Sequence, residues 1–534
     1  MRPASAVAPF FCLWASLLPA CRTASPPETP AAAPACLFRY ALPEYPATLD
    51  PAFARTSLDN LVVPEIYEGL MAYPPDDGPP EPGVADRFEV SSDGLTYTFH
   101  LRTGAVWGDG RSVTAGDFVF SWRRVVNPAT AAPYADILFF VSGAQAIAQG
   151  KAAPETLGVS AKDDRTLEVH LREPTPFFPE LTAFFTYLPV PSHLFALGPP
   201  ADAELAKTGN GAFKLVQIEP GRRLVFERSP TYWDRAHVGA DRLEALVVAE
   251  GNAAANLFET GALEWSGLVD VPPLRLKAPN TTLAAGLRTD AWLATHFVRL
   301  NVTRPPFDDV RVRQAVAAAI DGDAIARTLG LGHRGATGMV PPLPGQSAAN
   351  SHSGYAPERA RALLNEAGYG PDHPLVFRLH HPAEDFRRLL AEAIAGQLEK
   401  TLGAQVSLWS EELRVYLHTQ DEKGYEASLS RWAGDYADPT TFLDLFAGDS
   451  SLNDTGFADR AYDDALHQAH GLTDPAARLA TLRQAEARLL DQAAVVPVVF
   501  GAKAHLIAPR ALGLPQNSLG NHLLKYVHCA GSGP

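Results

Sequence analysis

The sequence predicts an α/β protein of several domains that leaves the cytoplasm. Three observations carry this. Helical and strand periodicities alternate along the chain. The length of 534 residues suggests about three domains. The N-terminus has the form of an export signal.

Met1 and Arg2 give a short positive start, and residues 6–18 are apolar and uncharged, with Phe10, Phe11, Leu13, Trp14, Leu17 and Leu18. The stretch is too short to span a bilayer and suits a signal peptide. It runs into Leu18-Pro19-Ala20-Cys21, which resembles the lipobox of bacterial lipoproteins, where the cysteine is lipidated and becomes the first mature residue. Cys21 is the expected lipidation site, and an ordinary signal peptide cut near Ala20 is the alternative. Residues 22–35 are rich in Pro and Ala, a tether composition that cannot form a core. No other stretch reaches 18 uncharged apolar residues.

The chain holds four cysteines. Cys12 lies in the signal and Cys21 in the lipobox, so the globular part keeps Cys36 and Cys529, one at each end. In an oxidising compartment such a pair can bridge the termini, and a disulfide between them is expected.

A strand is expected over 37–42 and a turn at Thr48-Leu49-Asp50-Pro51. The spacing of Leu58, Leu61, Val62, Ile66 and Leu70 predicts a helix over 58–71. Asp93-Gly94 marks a hairpin whose second arm alternates Tyr97, Phe99 and Leu101 with Thr96, Thr98 and His100. Helices follow over 114–126, 314–329, 357–367 and 387–402, with a period-two strand over 166–171. Asp474-Pro475 starts a last helix, a capping residue with Pro in the first turn, whose core face uses Leu479, Leu482, Ala485 and Leu489. No repeat of 20–50 residues is present.

The balance of 45 basic against 60 acidic residues, net −15, argues against a nucleic-acid partner, since phosphate binding needs clustered Lys and Arg. It suits a cationic or zwitterionic ligand. The sequence contains no GxxxxGK[ST], HExxH, GxSxG or CxxC. His380-His381 has no second ligand at useful spacing and reads as a solvated or ligand-facing pair. No enzyme, metal or cofactor is therefore expected.

Several segments, in order from about residue 37 to 510, resemble the oligopeptide-binding receptors of ABC importers, family 5 of the extracytoplasmic solute-binding proteins. They are Leu49-Asp50-Pro51 with Tyr67-Glu68-Gly69-Leu70, and Asp93-Gly94-Leu95-Thr96-Tyr97-Thr98-Phe99. Trp107-Gly108-Asp109-Gly110 follows, then Thr114-Ala115-Gly116-Asp117-Phe118-Val119 with Trp122. Gly209-Asn210-Gly211-Ala212-Phe213 and Arg228-Ser229-Pro230-Thr231-Tyr232-Trp233 come next. The series ends with Pro306-Phe307-Asp308-Asp309-Val310-Arg311, Trp432-Ala433-Gly434-Asp435-Tyr436 and Val496-Pro497-Val498. By their residue types most of these blocks are scaffold: turns that need Gly, and helix caps such as Thr114 and Asp117.

The resemblance implies a type II periplasmic-binding-protein fold, two lobes with a hinge plus an extra third domain. The implied division is lobe I at 36–71, 194–292 and 497–534, the extra domain at 72–193 and lobe II at 293–496. It implies an oligopeptide ligand held between closing lobes and delivered to an ABC permease and ATPase complex. It also implies a monomer in the cell envelope, periplasmic or at the surface, on the membrane through Cys21. The alternatives are the same role for another ligand (dipeptide, metal complex, opine or sugar) or a sensor or chaperone lipoprotein.

A peptide brings an ammonium, a carboxylate and a polar backbone, each costly to bury unpaired. The resemblance implies Asp435 as partner of the α-ammonium and Tyr134 as a contact from the extra domain. Trp432 is a candidate for a side-chain pocket, Asp59 for a ligand-facing acid, and Phe297, with His296, Val298 and Arg299, for a ligand-facing strand. Arg387 and Arg431 fall near the family's basic positions for the carboxylate.

Overall fold

The structure is a computed structural model that describes residues 36–276, 282–343 and 354–530. Cys21 and the tether lie outside the described residues. Three sheets organise the chain. The first has the order Leu37–Leu42, Arg242–Val247, Arg223–Arg228, Phe213–Glu219, its first pair parallel and the rest antiparallel. The second is an antiparallel meander-like sheet of Ala85–Val90, Thr96–Leu101, Thr166–His170 and Val159–Asp163. It contains the expected hairpin, with Gly94 at φ +71° in the turn, where a side chain would be strained. Tyr97, Phe99 and Leu101 point into the core, as their alternation predicts.

The third sheet is six-stranded and mixed, in the order Arg334–Gly335, Val495–Leu506, Leu287–Leu300, Ala427–Ala433, Val376–Pro382, Gln405–Glu411. Apolar cores lie on both its faces. Val298, Leu300 and Leu379 pack with Leu390 and Ile394 of helix Asp385–Leu402. Leu293 and Phe297 pack with Phe442, Phe446 and Leu482. Helices on both faces of a largely buried sheet are the α/β arrangement that the alternating periodicities predict.

Two long antiparallel strands, Leu287–Leu300 and Val495–Leu506, link this sheet to the first. Just past the end of the second, Ile507 bridges to Trp265, which in turn bridges to Tyr40 in the first sheet. Between Ala291 and Thr295 the two strands lose register, a local irregularity of the kind that bends and twists a ladder. Cys36 and Cys529 are joined as a disulfide, 5.4 Å apart at Cα, and tie the ends of the described chain together.

Two helices differ from the sequence reading. The helix expected over 58–71 is Ser57–Ile66. Its end is set by tertiary partners: the Ile66 carbonyl accepts from Gly211 N–H, and the Asn210 side chain takes both the N–H and the carbonyl of Glu68. The single helix expected over 314–329 is two, Val310–Ala319 and Gly322–Leu329. Asp321 breaks it by capping the second, accepting from Ala324 N–H, while the Gln397 side chain takes Asp321 N–H. In the last helix Leu482, Ala485 and Leu489 are buried as expected; Leu479 is only half-buried, and Arg478 is buried instead.

Candidate functional site

The strand Ala427–Ala433 leads into a loop that carries Asp435. Gly434 N–H bonds to the Leu293 carbonyl at 2.8 Å. A Cβ on Gly434 would stand 2.9 Å from Leu293 Cδ2 and 3.1 Å from Thr441 Cγ2, so a larger residue here would push on the side chains that pack under the loop. A buried pair anchors the other end: Arg478 donates to both oxygens of Asp438, at 2.6 and 2.9 Å. Between these fixed points Tyr436 stacks on Phe177, ring centroids 4.3 Å apart and planes 3° from parallel. Ala437 N–H donates to Glu180 Oε1 at 2.9 Å. The loop is thus held against the segment carrying Phe140, Phe177 and Glu180, which sequence reading places in the extra domain.

Asp435 is half-buried, and its backbone N–H donates to Thr441 Oγ1 at 3.2 Å. Its carboxylate has no hydrogen-bond or ion-pair partner among the described residues. Burial, then the Asp136 charge, push its pKa up to about 7. Its charge in turn acts on Tyr134 and Tyr73. The Tyr134 hydroxyl is raised to about 12, by burial first and Asp435 second. Tyr73 is raised well above its ordinary value by burial, then Glu180, then Asp435. Glu180 is itself raised to about 7 by burial. Asp435 thus acts electrostatically on Tyr134 and Tyr73, and Glu180 on Tyr73, which makes an acidic neighbourhood around the loop, called the Asp435 pocket below. Such a pocket can take a cation carrying hydrogen-bond donors. Glu180 was not read from the sequence, because it lies in an aromatic run, 177–187, that reads as core; Tyr73, before Pro74-Pro75, belongs to no motif at all.

Arg387 and Arg431 form a second group. Arg387 is buried, and its Nη1 reaches the Leu429 carbonyl at 3.4 Å. Burial, then the Arg431 charge, pull its guanidinium down to about 10. Beside them sits His296, buried, with no partner for Nδ1.

The other candidates fall elsewhere. Asp59 is committed to the cap of helix Ser57–Ile66: its Oδ2 accepts from Arg55 N–H, Thr56 N–H and Thr56 Oγ1 at 2.9 Å each. A capping-box acid is drawn back to the helix start, so it does not join the Asp435 pocket. Phe297 is a core residue, 0% exposed and edge-on to Phe446 at 6.0 Å. Its neighbours His296, Val298 and Arg299 are buried too, since this strand lies inside the six-stranded sheet. Trp432 packs against the core beside Phe297, with its indole N–H buried and unpartnered. His380 and His381 are buried rather than solvated; His380 Nε2 lies 2.9 Å from Glu411 Oε2, and its ring stacks on Trp409 at 4.3 Å. No group of three or more metal-ligating side chains occurs among the described residues.

The segments that match the oligopeptide-receptor pattern prove to be joined in space. Glu68 takes hydrogen bonds from Tyr232 and Trp233, and Asp117 takes them from Thr114, Ser192 and Trp107. Comparison with known proteins agrees with this. Residues 79–454 match the family model of bacterial extracellular solute-binding proteins, family 5. The chain belongs to this family. This solute-binding protein is 35% identical over 499 residues to the probable deoxycholate-binding periplasmic protein YgiS of Escherichia coli K12, covering 92% of each chain. It is 33% identical over 483 residues to the periplasmic oligopeptide-binding protein OppA of the same organism, covering 86% of each. Among solved structures, the unliganded open form of the murein tripeptide-binding protein MppA matches with a TM-score of 0.81 at 31% identity, over 92% of this chain and 97% of that one. Haemophilus influenzae OppA in complex with the peptide RPPGFSPFR matches with a TM-score of 0.74 at 29% identity, over 92% and 98%. The relatives named here are periplasmic, and no helix among the described residues is long and apolar enough to cross a membrane.

Proposed function

We propose that this solute-binding protein captures short peptides by their free α-ammonium at Asp435 and passes them to an ABC permease. The observation that supports this best is the Asp435 carboxylate: half-buried, without a donor, and flanked by Tyr134, in a chain whose relatives are named for oligopeptide, dipeptide and murein peptide binding. An ammonium supplies three donors and the missing positive charge. The peptide's far end carries a carboxylate, which in this reading Arg387 and Arg431 meet. In this reading the protein binds and does not transform its ligand, and it acts as a monomer.

The reading includes the division into lobe I (36–71, 194–292, 497–534), extra domain (72–193) and lobe II (293–496), closing about the two long strands. Two of the proposed boundaries, 292/293 and 496/497, fall inside those strands. It also includes export and anchoring through a lipidated Cys21. Cys21→Ala is expected to move the protein from the membrane to the soluble fraction; equal partition of both forms would contradict the anchor. Ligand identity is tested by mass spectrometry of what co-purifies, followed by calorimetric titration with peptides of two to five residues and with deoxycholate, the ligand in YgiS's name. Peptide binding with no response to deoxycholate is expected; the reverse would overturn the peptide reading.

A further inference from the structure

Where the two long strands lose register, pairing stops at Ala291 and resumes at Thr295, so Trp292, Leu293 and Ala294 have no partner in Val495–Leu506. On the other side Ala294 pairs with Ala433. A buried residue in such a gap must still satisfy its backbone N–H and carbonyl. Leu293, 1% exposed, does so outside the ladder. Its N–H donates to the Ser518 carbonyl at 2.7 Å, and its carbonyl accepts from Gly434 N–H at 2.8 Å. Gly434 directly precedes Asp435. Leu293 therefore joins the C-terminal part of the chain to the loop that carries Asp435.

Ser518 stands in a closed turn. Asn521 N–H donates to Asn517 Oδ1 at 2.8 Å, and Gly520 N–H to the Asn517 carbonyl at 3.1 Å. Asn517 Nδ2 in turn donates to the Asn521 carbonyl at 2.5 Å. Gly520 adopts φ +75°, a conformation that suits glycine. From helix Ser57–Ile66, Asn60 donates to Asn521 Oδ1. The stretch 74–80 clasps the turn from another side. Ser518 N–H and Oγ–H both donate to Asp77 Oδ1, at 2.7 and 2.9 Å, and Gln516 N–H donates to the Pro75 carbonyl at 2.9 Å. Leu519 packs both against the core that holds Phe38 and Tyr40 and against the core that holds Leu293 and Phe297. Ser518 is buried and Asp77 exposed.

We propose that the turn 517–521 positions the Asp435 loop through Leu293, with Asp77 and Ser518 as positioning residues. The bend of the two long strands and the placing of the ammonium partner then depend on one residue: a change of bend at the gap displaces Leu293, and Gly434 moves with it. The inference rests on the reading of Asp435 as the ammonium anchor. Asp77 serves here as an acceptor, so asparagine, which keeps Oδ1, can replace it and alanine cannot.

Tri-alanine and N-acetyl-tri-alanine are titrated calorimetrically into wild type, Asp77→Asn and Asp77→Ala. The ratio of the two affinities reads how well Asp435 meets an ammonium, and a loss of stability alone leaves that ratio unchanged in the folded protein. Wild type should prefer the free-amino peptide. Asp77→Ala should shrink the preference by about three- to tenfold, the range of a single net hydrogen bond, and Asp77→Asn should stay within about twofold of wild type. A preference unchanged in Asp77→Ala, or reduced as far in Asp77→Asn, overturns the relay while Asp435 keeps its role. If wild type shows no preference, the Asp435 reading fails on its own, and the relay is read in ligand-free protein by hydrogen exchange at the Leu293 and Gly434 amides. Both amides should exchange about three- to tenfold faster in Asp77→Ala and not in Asp77→Asn. Equal rates in wild type and Asp77→Ala overturn the inference.

Discussion

Asp435 and Glu180 are carboxyls that stay partly protonated near neutrality, both at about 7 and both raised first by burial. The sign of their effect follows from proton counting. The unfolded chain loses these protons near pH 4, while the ligand-free folded protein holds them until about pH 7. In that window the folded state binds more protons, so these two groups make ligand-free stability fall as pH rises from 4 to 7. A bound ammonium favours the charged carboxylate and reverses this. Peptide binding at pH 6 is therefore expected to release protons, and affinity should rise from pH 5 to 7. Above about pH 8 the peptide ammonium itself begins to deprotonate and the gain stops. Titration at pH 6 in buffers of different ionisation enthalpy measures the release; Asp435→Asn should reduce it. Proton uptake, or a release unchanged in that variant, would remove Asp435 from this role. Asp435, Tyr134 and Arg431 could be proposed from the sequence because they stand in or near recognisable blocks. Glu180 could not, because a lone Glu between apolar residues carries no signal until the fold supplies its neighbours.

At the scale of elements, the loop after Ala427–Ala433 owes its position to Arg478, which belongs to a helix face that periodicity assigns to the apolar core. Arg478→Met would leave Asp438 buried without its cation. Removing one partner of such a pair typically costs about 3–5 kcal/mol, so the unfolding midpoint should fall clearly and peptide affinity should fall with it as the loop shifts. Scanning calorimetry and titration check both; an unchanged midpoint would show that the pair does not hold the loop. The same helix shows how far pattern reading reaches. Leu482, Ala485 and Leu489 were read correctly because burial imposes a 3.6-residue period. The C-terminal end of helix Ser57–Ile66 and the break at Asp321 were not, because Asn210, Gly211 and Gln397 set them from distant parts of the chain. Two strands of the antiparallel sheet, Thr96–Leu101 and Thr166–His170, were legible because one face of each is dry and the other wet; Val159–Asp163 was not, since its burial does not alternate.

For the whole molecule, the Cys36–Cys529 disulfide closes a loop of 493 residues. In the chain-entropy model that restricts the unfolded chain by roughly 4–6 kcal/mol, and often less in practice. Oxidised mature protein should show neither of these thiols under denaturing conditions, and reduction should lower the unfolding midpoint; two titratable thiols without reduction would refute the link. Capture of a ligand is also a property of the whole molecule, because the Asp435 pocket takes Tyr134 and Glu180 from one part of the chain and the loop after Ala433 from another. The most direct test of the account is a calorimetric double cycle: wild type and Asp435→Asn, each with a free-amino peptide and its N-acetylated form. Stranding a desolvated charge costs about 2–5 kcal/mol, or roughly 30- to 4,000-fold in affinity. The account predicts a loss of that order for the free-amino peptide in Asp435→Asn and a much smaller loss for the acetylated one. Equal losses for the two peptides would contradict it.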